Sequence, residues 1–105
     1  MDPMRLLWLF LAGVFLANAV PHWVAGIGGR RFQSPFARPP GVGESSPIVN
    51  LLWGGVNLAI GWALLRLADG LGLDDSAGFI ALWLGAVLAG LGLAWHFARV
   101  RGGNA

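Results

Sequence analysis

The sequence predicts an all-α membrane protein with three transmembrane helices and one ordered loop between the first two helices. Its composition supports this class, because 56% of the 105 residues are hydrophobic, 11% are charged and the mean hydropathy is +0.66. A soluble domain carries about 25% charged residues, so too few polar residues remain here to coat a soluble helical core. At this length we expect a single integral membrane domain, residues 1–105.

Three long apolar runs supply the transmembrane helices. Each is close to the ~20 residues that a helix needs to cross a bilayer core. The runs contain no Asp, Glu or Lys, and Arg66, near the end of the second run, is their only arginine. We expect helices at about residues 6–28, 47–67 and 77–98, loops at 29–46 and 68–76, and a tail at 99–105.

The first run has a second interpretation, as a secretory signal. Arg5 precedes an apolar stretch that reaches Ala17-Asn18-Ala19, a small-x-small pattern typical of a cleavage site. Apolar character continues past this pattern to Ile27, and cleavage would place the arginine-rich loop outside the cell. We therefore expect a retained transmembrane helix, with cleavage as the alternative.

The loop at residues 29–46 differs from a flexible linker. It contains Phe32 and Phe36, which a flexible tether does not need, together with stiff proline-rich turns. Ser46-Pro47 is a start signal for the second helix. We expect an ordered cap against the membrane face, with both phenylalanines buried and its arginines near lipid phosphates. The arginines expected to contact anionic lipid are Arg30, Arg31 and Arg38.

The third run is suited to helix contact. Small residues recur along it at four-residue spacing, which lets two helix backbones approach closely. Three helices need only part of this surface among themselves, so we expect a homo-oligomer or docking to a larger membrane complex. The small residues concerned are Gly85, Ala86, Ala89, Gly90 and Ala94.

The positions of the arginines predict the orientation. With three spans, the first loop and the C terminus lie on the same side, and that side carries five arginines against two on the other. Positively charged residues favour the cytoplasmic side. We therefore expect a multi-pass protein of the cell inner (plasma) membrane, with its N terminus outside and its C terminus in the cytoplasm. The five arginines are Arg30, Arg31, Arg38, Arg99 and Arg101.

Polar side chains within the spans are few, and they gather in the predicted cytoplasmic half. An asparagine that faced lipid would leave its amide without a hydrogen-bond partner, so these groups should face other helices. One interpretation is structural, with interhelical hydrogen bonds worth about 0.6–2 kcal/mol each. The other is a ligand or ion path, which intramembrane polar groups can mark. The candidate ligand-binding residues are Asn18, His22, Asn50, Asn57 and His96.

Several classes of site lack support in the sequence. The two histidines do not form an i, i+4 ligand pair and no carboxylate lies within a span, so we expect no metal, haem or other cofactor. The chain has no cysteine and no Gly-x-Ser-x-Gly elbow, so no catalytic residue is assigned. A net charge of only +2, without a basic stripe, argues against nucleic-acid binding.

One stretch of the chain resembles the pattern of a known family. Residues 18–57 contain N-x-x-P-H, followed by S-P-F-A-x-P-x-G-x-G-x-S-S-P-x-x-N-x-x-W-G. The pattern resembles that of a family of short bacterial inner-membrane proteins to which no activity is assigned. The resemblance implies a bacterial inner-membrane location and supplies no function. Small multidrug-resistance transporters differ, because they have four spans and a glutamate within the membrane.

Two functions from different classes fit these observations. We expect a non-enzymatic membrane subunit or homo-oligomer that binds protein partners or lipid. The alternative is a transporter or ligand-binding membrane protein that uses the polar residues of the cytoplasmic half. The two differ in whether the asparagines and histidines bond to each other or to a ligand.

Overall fold

Three long helices and a small two-stranded ribbon make up the fold, seen in a computed structural model that describes residues 2–102. All three helices are long and apolar enough to cross a membrane. The predicted all-α fold is thus confirmed, and the chain is a multi-pass membrane protein. In chain order the elements are α1 (Pro3–Ile27), β1 (Phe32–Gln33), β2 (Glu44–Ser45), α2 (Pro47–Leu67) and α3 (Ser76–Val100).

Local capping explains where the helices begin. The carboxylate of Asp2 accepts a hydrogen bond from a first-turn amide at 3.0 Å, so α1 begins slightly before the predicted start. The Ser46 hydroxyl caps α2 as expected, and Asp75 caps α3 in the same way. Helix α3 runs to Val100, inside the predicted tail, while residues 103–105 of that tail lie outside the described residues.

Helix α1 is the central helix. It packs antiparallel to α2 and parallel to α3, whereas α2 and α3 make almost no contact with each other within residues 2–102. A Cβ atom at Gly54 of α2 would lie 2.7 Å from the backbone nitrogen of Trp23. A Cβ atom at Gly85 of α3 would overlap the carbonyl oxygen of Phe10. Glycine is required at both contacts, because a side chain there would push the helix backbones apart.

The far end of the bundle consists of the start of α1 and the loop between α2 and α3, and Arg5 holds it together. The guanidinium donates to the backbone oxygens of Ala68 at 3.0 Å and Gly70 at 3.1 Å, and it forms an ion pair with Asp75. Hydrogen bonds from Arg5 and from the Gly78 amide hold the pKa of the Asp75 carboxyl below its ordinary value. The first turn of α1 is thereby fastened to the loop that connects the other two helices.

The opposite end, the cap end, carries the loop between α1 and α2. Residues 28–46 form the cap, whose strands β1 and β2 pair antiparallel with Phe32 opposite Ser45. The Ser34 hydroxyl lies 2.5 Å from the Ser45 hydroxyl and accepts a hydrogen bond from the Phe36 amide at 3.1 Å. The ribbon is therefore closed by side-chain bonds as well as by backbone pairing.

The two phenylalanines of the cap take different positions. The ring of Phe32 packs edge-on against Phe97 near the end of α3, with ring centroids 4.8 Å apart. Phe36 differs from the expectation, because it is 62% exposed within the protein and contacts only one side of the bundle, through Trp53 at 5.1 Å. The ribbon directs Phe32 under the helices, while Phe36 lies beyond its end and points outward.

Candidate functional site at the cap end

Asn50 is the side chain that joins the helices to the cap. It is fully buried on α2. Its amide nitrogen faces the backbone oxygens of Phe32, Ser45 and Ser46 at 3.1–3.2 Å. Its amide oxygen lies 2.8 Å from Nδ1 of His22 on α1. One asparagine therefore connects α1, both strands of the ribbon and the start of α2.

The bond to Asn50 fixes the tautomer of His22. The amide nitrogen of Asn50 faces carbonyl oxygens, so its amide oxygen faces the imidazole and can only accept. Nδ1 of His22 therefore carries the hydrogen. The imidazole is buried and meets the rings of Phe32, Trp53 and Phe97 edge-on, at centroid distances of 5.5–6.4 Å. His22 is thus a hydrogen-bonded residue enclosed by aromatic rings.

Asn18 and Asn57 form a second polar layer between α1 and α2. The Asn18 amide nitrogen donates to the Asn57 amide oxygen at 2.9 Å. The Asn57 amide nitrogen donates to the Trp53 carbonyl, one turn earlier in α2, at 2.8 Å. This layer lies one turn of α1 away from His22. The structure thus gathers four of the five candidate residues into two adjacent layers, and a ligand-binding role for them stays a prediction.

His96, the fifth candidate, bonds to a different part of the cap. Its Nε2 donates to the carbonyl oxygen of Gly41 at 2.7 Å, because a carbonyl oxygen can only accept. Gly41 has a φ of +75°, in the left-handed region that favours glycine. His96 therefore holds the turn of the cap from α3, while Asn50 holds the ribbon from α2.

Hydrogen-bond pairing of the buried side chains is complete in the part of the chain that the structure describes. Every buried side-chain nitrogen or oxygen among residues 2–102 has a partner. Among the same residues, no three histidine, cysteine or carboxylate side chains converge as a metal site would require. Buried side-chain hydrogen bonds rigidify a structure when every partner is satisfied.

Arginines surround a cleft at the cap end. The guanidinium of Arg101, just after α3, donates to the side-chain oxygen of Gln33 at 3.0 and 3.3 Å and lies 4.6 Å from the Phe32 ring centroid. Arg31 donates to the backbone oxygen of Glu44 at 3.2 Å. The cleft has a volume of about 180 Å³. Its lining residues are Pro21, Val24, Ala25, Arg30, Arg31, Phe32 and Arg101.

Arg38, the third arginine expected to contact lipid, does not line this cleft. It is exposed in the turn between β1 and β2, whereas Arg31 directly precedes β1. Arg99 also lies outside the cleft, with its guanidinium 4.6 Å from the ring centroid of Trp95. The cap end thus has arginines inside the cleft and arginines beside it, and lipid contact by Arg38 stays a prediction.

The small residues predicted to form a contact surface on α3 divide into two groups. Gly85 and Ala86 lie against α1, whose backbone approaches too closely for any side chain at position 85. Ala89 is half-buried. Ala94 is exposed, and a Cβ atom at Gly90 would have no neighbouring atom within 4 Å. Only the first half of the predicted surface therefore takes part in the contact between α1 and α3.

Sequence reasoning placed Gln33, Ser34 and Arg101 at this end but did not name them as candidate site residues. Gln33 and Ser34 are buried, although polar loop residues of these types mostly face solvent. In the sequence, Arg101 indicates only orientation. Its position four residues after Phe97 places both side chains on one face of the helix, a spacing that could have indicated contact with the cap.

No family model, curated protein or solved structure matches this chain. The resemblance of residues 18–57 to short bacterial inner-membrane proteins therefore stays a prediction.

Proposed function

We propose that this protein is a non-enzymatic membrane subunit or homo-oligomer of a bacterial inner membrane, which acts by binding protein partners or lipid. The observation that carries the proposal is the complete pairing of buried polar side chains among residues 2–102. Side chains held in this way set the shape of the cap and its position under the helices. The groups presented outward are arginines and apolar side chains, which suit binding.

The alternative, a transporter or ligand-binding protein, would need the same polar side chains to exchange their present partners. Asn50 would have to leave His22 and the backbone of the cap together. None of the five candidate residues lines the cleft at the cap end. A role in holding the structure together is therefore favoured over a role in holding a ligand.

The charges at the two ends support a cytoplasmic cap and C terminus. The cap end carries five arginines and one acid, whereas the far end carries two arginines and four acids. Of the two arginines at the far end, Arg5 forms an ion pair with Asp75 and Arg66 lies 5.4 Å from the ring centroid of Trp62. A fluorescent-protein fusion at the C terminus should therefore mature in the cytoplasm, and a C terminus accessible only from outside would contradict the orientation.

Assembly can be tested by native mass spectrometry of the protein extracted in a mild detergent. We expect a complex, with copies of the chain or with a larger partner, and a clean monomer would contradict the proposal. The open part of α3, around Gly90, is the proposed contacting face. Gly90→Leu should dissociate the complex without unfolding the chain, because the added Cβ atom has no atom of another segment within 4 Å. Leu91→Ala, on the neighbouring exposed position, is the matched control.

A further inference from the structure

The arginine-lined cleft at the cap end is not explained by the structural hydrogen bonds around it. We propose that it binds the phosphate group of an anionic phospholipid, with Arg30, Arg31 and Arg101 as the phosphate-binding residues. This inference deepens the proposed function, and it rests on that function only in taking the cap end to lie at a membrane surface.

The lining of the cleft is positively charged. Arg30 and Arg31 come from the cap and Arg101 from the end of α3, so the cleft forms only when the cap is folded against α3. No acid lines it, and the only ion pair in the described part of the chain lies at the far end. Three positive charges therefore face one cleft with no neutralising carboxylate in its lining, which favours an anion as the occupant.

The guanidinium groups of the cleft differ in how they are held. The guanidinium of Arg101 is held in place by the side chain of Gln33 and the ring of Phe32. The guanidinium of Arg30 makes no hydrogen bond or ion pair to any described residue, so its donors remain available. A guanidinium presents paired donors that match two oxygens of one phosphate group. The cleft thus combines a positioned guanidinium with an unengaged one.

An apolar wall of the cleft favours a lipid over a soluble phosphate. One wall of the cleft is the apolar surface of α1, at Pro21, Val24 and Ala25. This surface continues along the helix through Val20 and Ile27, which are 57% and 65% exposed and, with the cap end at a membrane surface, are open to acyl chains. A lipid uses both the arginines and this wall, whereas a free ion uses only the arginines. An ammonium-bearing zwitterionic headgroup would bring its own positive charge close to the three guanidinium groups.

The volume of the cleft fits one such group. A cleft of about 180 Å³ has room for a phosphate group together with bridging water. The glycerol and acyl chains would remain outside the cleft, along α1.

The test uses the full chain in detergent micelles, titrated with short-chain phosphatidylglycerol and, separately, with short-chain phosphatidylcholine. Bound lipid is counted by native mass spectrometry. We expect phosphatidylglycerol to bind more tightly than phosphatidylcholine, and Arg30→Gln to weaken its binding about fivefold, the ratio that corresponds to about 1 kcal/mol per interfacial arginine. Arg99→Gln is the matched control, with the same charge change at the same end, and should change binding less than twofold. Arg30→Gln should fold normally, because it breaks no bond.

Three results would overturn the inference. Equal binding of both lipids would show that the protein does not distinguish them by headgroup charge. If Arg30→Gln and Arg99→Gln weaken phosphatidylglycerol binding equally, or if neither variant weakens it, the cleft is not the binding site. Displacement of the lipid by inorganic phosphate at matched concentration would indicate a soluble anion as the occupant. If lipid selectivity is lost while the complex and the cytoplasmic C terminus are observed, only this inference fails. If selectivity in micelles is observed without a complex or a cytoplasmic C terminus, only the proposed function fails.

Discussion

Asn50→Leu tests whether one buried amide fastens the ribbon of the cap to α1 and α2. Leucine keeps the number and branching of the side-chain heavy atoms, is somewhat larger, and removes all of the side-chain hydrogen bonds. His22 loses its only side-chain partner, and the backbone oxygens of Phe32 and Ser45 each lose a donor. The carbonyl of Ser46 keeps a bond, because it also accepts from the backbone nitrogen of residue 50 at 3.0 Å.

The expected cost follows from these losses. A buried imidazole N–H without a partner costs about 1–3 kcal/mol, and the two carbonyl contacts contribute about 0.5–1.5 kcal/mol each. Burial of the leucine side chain offsets about 1–2 kcal/mol of this. At the centre of these ranges the free energy of unfolding should therefore fall by about 2–3 kcal/mol. Asn57→Leu removes one interhelical bond and one bond within its own helix, so it should cost only about 1–2 kcal/mol.

Two measurements separate the variants. Unfolding in mixed micelles, followed by tryptophan fluorescence, gives the free energies. Trypsin cleavage after Arg31, at the edge of the ribbon, reports opening of the cap, since cleavage tracks the population of the open form. Asn50→Leu should be cleaved faster than the parent protein, and Asn57→Leu should be cleaved at the parent rate. Equal cleavage of the two variants, or a stability of Asn50→Leu equal to that of the parent, would refute the reasoning.

Two further predictions concern the other contacts of α1. Gly85→Ala should lower the free energy of unfolding by about 1–3 kcal/mol, because its Cβ atom overlaps the carbonyl oxygen of Phe10, whereas Gly90→Ala should be neutral or slightly stabilising when both are unfolded in micelles. Arg5 holds the pKa of the Asp75 carboxyl below its ordinary value, so the unfolded chain takes up this proton first as the pH falls. The free energy of unfolding should therefore decline below about pH 4. Asp75→Asn should flatten that decline in a pH series of unfolding curves.

Each of these predictions has a result that contradicts it. Equal destabilisation by alanine at positions 85 and 90 would mean that the helices do not approach as closely as described. An acid decline of the same steepness in Asp75→Asn and in the parent protein would mean that other carboxylates set it.

The helices were predictable because a membrane-spanning segment must satisfy its backbone within itself, so length and apolar character suffice to find it. Which helix is central was not predictable. Small residues occur in all three helices, and their use depends on shape. Gly85 faces the backbone of α1 while Gly90, five residues later, faces open space, and the two look alike in the sequence.

The candidate site was predictable in part for a similar reason. Asn18, His22, Asn50 and Asn57 could be expected to face one another, since polar side chains avoid lipid. The partners of Asn50 in the cap could not be expected. They are backbone oxygens, which every residue carries, so no side chain in the loop marks them.

The central position of α1 also bears on how the protein is made. Of the three helices α1 comes first in chain order, so if they enter the membrane in that order each later helix finds its packing partner already in place. Helix α2 can complete the layers of Asn18 and His22 as soon as it enters. The contacts of Asp75, His96 and Arg101 form only when α3 follows, so both ends of the bundle close only once α3 is in place. A chain released before α3 would retain the first helical pair and leave one side of α1, including Phe10, without its partner helix.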